Sequence, residues 1–119
     1  MSCMFEGCSS LTNMLIKLDT RNATNMSCMF KECFCLKSID LSNFDMKNVS
    51  HMYCMFNECI SLESFSLPKF NFTNVKYIDG MFFNNPYKLQ QDIRNRNLGI
   101  KPKDFQKTNE ESCLCWYKY

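Results

Sequence analysis

Glycine and proline are scarce, three of each in 119 residues, which excludes a collagen-like chain and argues against one built from open loops. A single histidine, His51, leaves no His-rich metal site and no Ser-His-Asp or Cys-His-Asp set to argue for. No glycine-rich phosphate loop and no pair of carboxylates at acid/base spacing is present; Glu32 and Glu58 simply repeat one position. No apolar run approaches the roughly 18–20 residues needed to span a bilayer. The first ten residues, MSCMFEGCSS, lack a basic segment followed by an apolar stretch, so no signal peptide is visible. The formal charge of +2 is too small to imply a nucleic-acid partner. Residues 1–86 hold 7 Lys/Arg against 8 Asp/Glu (net −1) and residues 87–119 hold 7 against 4 (net +3), so neither part changes that conclusion. These absences point away from an enzyme and away from any cofactor or resident metal.

What is abundant is cysteine (9), methionine (9), phenylalanine (11) and asparagine, and they are distributed periodically. Aligned on Met-x-x-Met-Phe, the chain gives MSCMFEGCSSL, MSCMFKECFCL, MYCMFNECISL and IDGMFFNNPYKL. Phe5, Phe30, Phe56 and Phe82 share one column, and Met4, Met29, Met55 and Met81 the next. Cys3, Cys28 and Cys54 form another column, as do Cys8, Cys33 and Cys59, and Leu11, Leu36 and Leu62. The repeats run 1–25, 26–51 and 52–77, with a partial one over 78–98. A unit of this size cannot bury its own apolar face and must stack on its neighbours.

Two local patterns lie within each unit. Ser38-Ile39-Asp40-Leu41-Ser42 and Ser64-Phe65-Ser66-Leu67 alternate polar and apolar, as half-buried strands do. Apolar residues at Val49, Met52, Met55 and Phe56 follow helical spacing, with Asn48 as an N-cap and Asn22 and Asn74 in the matching places. The spacing therefore predicts a rung made of a short parallel strand and a short helix. Strands pair at about 4.8 Å and helices pack at about 8–10 Å, which predicts a curved stack with the strands on the concave side.

The pattern Asn-Val-Ser-x-Met-x-x-Met-Phe-x-x-Cys-x-x-Leu-x-x-Ile-Asp-Leu-Ser-x-Phe-Asp, nearly continuous over 22–44 and 48–67, resembles the BspA-type leucine-rich repeat of bacterial and protist surface proteins, a mycoplasma-lipoprotein-like repeat of about 25 residues. The resemblance covers residues 1–85 and implies an α/β fold, a leucine-rich-repeat solenoid of about three and a half rungs. It further implies display at a cell surface or outside the cell, with adhesive or recognition roles and no catalytic residues. Residues 86–119 follow no repeat: Asn85 stands where a cysteine is expected, and the segment reads as a degenerate cap (Leu89, Ile93, Leu98) followed by a loose basic tail.

Three readings of the cysteines stay open: a ladder of buried thiols, disulfides, or metal ligation at the marginal Cys-x4-Cys spacing. Asn22, Asn25, Asn48 and Asn71 each satisfy the N-glycosylation acceptor rule, although at Asn22 and Asn48 a capping role accounts for the same residues. The partner-binding face is expected on outward strand positions: Asn13, Leu15 and Lys17, then Ser38, Asp40 and Ser42, then Ser64, Ser66 and Pro68. The expected function is a non-catalytic protein-interaction or adhesion scaffold taking a protein or surface ligand, as a whole or as a piece of a longer surface protein. The alternative is an intracellular interaction or regulatory repeat protein with reduced, buried thiols. The first unit has no polar cap, so edge-to-edge stacking through it is a further expectation.

Overall fold

Successive rungs are held together by backbone hydrogen bonds between residues one repeat apart. A computed structural model describes residues 1–15, 17–66 and 75–96. On one side lie three strands of three residues each, β1 (Asn13–Leu15), β2 (Ser38–Asp40) and β3 (Ser64–Ser66). They pair in parallel in the order β1-β2-β3, with Asn13 opposite Ser38 opposite Ser64 and Leu15 opposite Asp40 opposite Ser66. Ile39, the inward residue of β2, is buried.

The opposite side contradicts the fold expected from the sequence. Val49, Met52, Met55 and Phe56 are buried, as their spacing demands, but the chain that carries them forms turns and not a helix. Among the described residues the only helix is α1 (Tyr87–Asn95), which follows the rungs. An α/β leucine-rich-repeat solenoid, with a strand and a helix in every rung, is therefore not the architecture of this chain; among the described residues strands occupy three residues of a rung, and turns and irregular chain the rest.

The physical reason lies in how the N–H groups are used. In a helix every interior N–H bonds back within its own segment. Here alternate N–H groups leave the rung. Met26, Cys28, Phe30 and Glu32 donate to the carbonyls of His51, Tyr53, Met55 and Asn57 at 2.7–2.9 Å. The intervening Lys31 and Cys33 donate locally, to Cys28 and Phe30, at 3.1 and 3.3 Å. The next rung repeats this: Cys54, Phe56 and Glu58 donate to Asp79, Met81 and Phe83, while Asn57 and Cys59 donate to Cys54 and Phe56. Such alternation needs the chain to reverse its twist periodically. Cys3, Cys28, Cys54 and Gly80 all have φ between 53° and 67°, and Gly7, Glu32, Glu58 and Asn84 lie between 60° and 71°. Left-handed residues four apart interrupt any helix. Both sides of a rung thereby meet the next rung through backbone bonds, at the same spacing. The mismatch that would have curved the stack does not arise.

This common spacing organises the core. Phe5, Phe30, Phe56 and Phe82 stack nearly parallel, with centroids 5.5, 5.5 and 5.8 Å apart and interplanar angles of 6–8°. Met29, Met55 and Met81 are fully buried beside them, with Leu36, Leu41 and Leu62. At the far end α1 turns Leu89 and Ile93 onto the last rung, and both are buried. Leu98 and the remaining tail lie outside the described residues.

Candidate interaction surface

The two cysteine columns have separate roles. Cys33 Sγ donates to the Phe5 carbonyl at 3.1 Å, and Cys59 Sγ donates to the Phe30 carbonyl at 3.0 Å. Asn85, one rung further on, donates Nδ2 to the Phe56 carbonyl at 2.8 Å. The cysteine column ends at Asn85 only in residue type; its hydrogen bond continues, with an amide N–H in place of a thiol. Burial pushes the Cys33 thiol up to about 11 and the Cys59 thiol up to about 12, so both stay protonated and able to donate. The other column, Cys3, Cys28 and Cys54, sits at left-handed positions in a small cluster of its own. Cys8, Cys33, Cys35 and Cys59 are free thiols, whereas Cys28 is disulfide-bonded. Among the described residues no group of three or more His, Cys, Asp or Glu could hold a metal ion.

The strand face brings several of the expected contact residues into rows, but they engage one another. Ser38 Oγ donates to Asn13 Oδ1 at 2.8 Å. Asp40 Oδ1 accepts from the Ser42 N–H at 2.9 Å; the Ser42 side-chain hydroxyl, and after it this N–H, hold the Asp40 carboxyl below its ordinary value. Lys17, Ser42, Ser64 and Ser66 are exposed, and Pro68 lies outside the described residues. The face is small and mostly polar, and its side-chain hydrogen bonds join Ser38 to Asn13 and Asp40 to the Ser42 backbone.

A second surface was not singled out by sequence. Parallel single-residue bridges join Asn25 to His51 and His51 to Tyr77, which sets these three side chains in one row. The His51 and Tyr77 rings lie 4.4 Å apart, Tyr53 and Tyr77 5.5 Å apart, and His51 meets Tyr53 edge-on at 6.5 Å. Tyr77 is 40% exposed, and His51 and Tyr53 are half-buried. Ser50 Oγ lies 2.8 Å from His51 Nδ1 and orients that ring, and Asn25 Oδ1 accepts from the Ser27 N–H at 2.9 Å. The sequence signal was present, since Asn25, His51 and Tyr77 occupy one column. Because the column carries no identity, it is indistinguishable in sequence from ordinary solvent-facing variation.

The glycosylation candidates divide similarly. Asn22 and Asn48 are exposed, but neither caps a helix; Asn48 Nδ2 instead donates to the Arg21 carbonyl of the preceding rung at 2.8 Å. Asn25 is half-buried, and Asn71 and Asn74 lie outside the described residues. Among the described residues no helix is long and apolar enough to cross a membrane.

The fold and surface together define a small repeat protein, a ladder of hydrogen-bonded turns with an aromatic patch on one flank. Residues 1–110 match the family model described as Mycoplasma protein of unknown function, DUF285, and the chain belongs to that family. No curated protein and no solved structure matches it.

Proposed function

We propose that this protein is a non-catalytic interaction module whose contact surface is the aromatic patch of His51, Tyr53 and Tyr77. The supporting observation is the mutual packing of these rings at the surface. Tyrosine supplies large contact area at low entropic cost, and rings already packed against one another lose little freedom on binding. The strand face has neither property. The likeness of the Met-Phe-x-x-Cys-x-x-Leu repeat to BspA-type surface proteins supports display to an external ligand. Among the described residues, the free thiols of Cys8, Cys33, Cys35 and Cys59 favour a reducing compartment instead, and the bonded Cys28 counts against it.

The test uses a printed panel of extracellular-matrix proteins and glycans, probed with the purified full chain. A ligand captured by the unmodified protein should lose at least about 10-fold in affinity with Tyr53→Ser and Tyr77→Ser together. Ser38→Ala with Ser64→Ala should leave it unchanged. Capture that survives loss of both tyrosines, or no capture at all, overturns the reading.

A further inference from the structure

We draw no further inference here: the strongest candidate, the exposed apolar side chains of Phe34, Ile60 and Tyr87 on the surface of three successive repeats, carries nothing because nothing in the structure shows what covers them.

Discussion

Phe56 is the most informative side chain to remove, because it is stacked on both faces. Its ring lies 5.5 Å from Phe30 and 5.8 Å from Phe82, and none of it is exposed. Truncating a buried phenylalanine to alanine costs about 3–5 kcal/mol. Each aromatic pair adds about 0.5–1.5 kcal/mol beyond area burial. With two pairs lost and some double counting between these figures, Phe56→Ala should cost roughly 4–6 kcal/mol. Phe5 belongs to the same column but stacks on one side only and is half-buried. Phe5→Ala should therefore cost about 2 kcal/mol. Against a total stability of about 5–15 kcal/mol, the first change leaves the fold near its limit and the second does not. Urea unfolding followed by far-ultraviolet circular dichroism measures both, provided the slope with denaturant stays constant. Equal costs at the two positions would refute the idea that stacking continues through the ladder. So would a Phe56→Ala effect no larger than a surface substitution, about 0.5 kcal/mol.

Two further outcomes follow from the turns. Burial raises the Cys59 thiol from its ordinary 9.0 to about 12, so the folded chain holds that proton more tightly than the unfolded one. The resulting stability is complete below about pH 9 and declines as pH rises toward 12, because the unfolded thiol ionises first. The decline has a ceiling of about 4 kcal/mol for this thiol; Cys33→Ala with Cys59→Ala should flatten it in urea midpoints compared between about pH 8 and about pH 11, and an unchanged slope would show that these thiols are not its source. Glu58 has a φ of 60° in a column shared with Gly7 and Asn84. Glu58→Asn should be neutral or gain about 0.5 kcal/mol, and Glu58→Val should lose about 1–2 kcal/mol; a thermal melt in which valine is tolerated would remove the left-handed turn from the account.

The sequence by itself determined the period, the columns and the identity of the core. Identical residues at a fixed interval must stack on one another, so the burial of Met55, Phe56 and Leu62 and the strands at Ser38–Asp40 and Ser64–Ser66 were legible from the residues alone. Periodicity could not distinguish a short helix from a ladder of turns. Both place apolar residues three and four apart, and the difference lies in whether alternate N–H groups bond within the rung or to the next one. That choice belongs to the stack. Three-residue strands on one side impose a β spacing, and the turn side must match it, with left-handed φ at Cys28 and Glu32 as the means. The same reasoning explains Asn85, which in sequence ends a column and in the folded chain puts its amide where the cysteine thiols sit one and two rungs earlier. It also explains the aromatic patch, since only the parallel register across rungs brings His51 to within 4.4 Å of Tyr77.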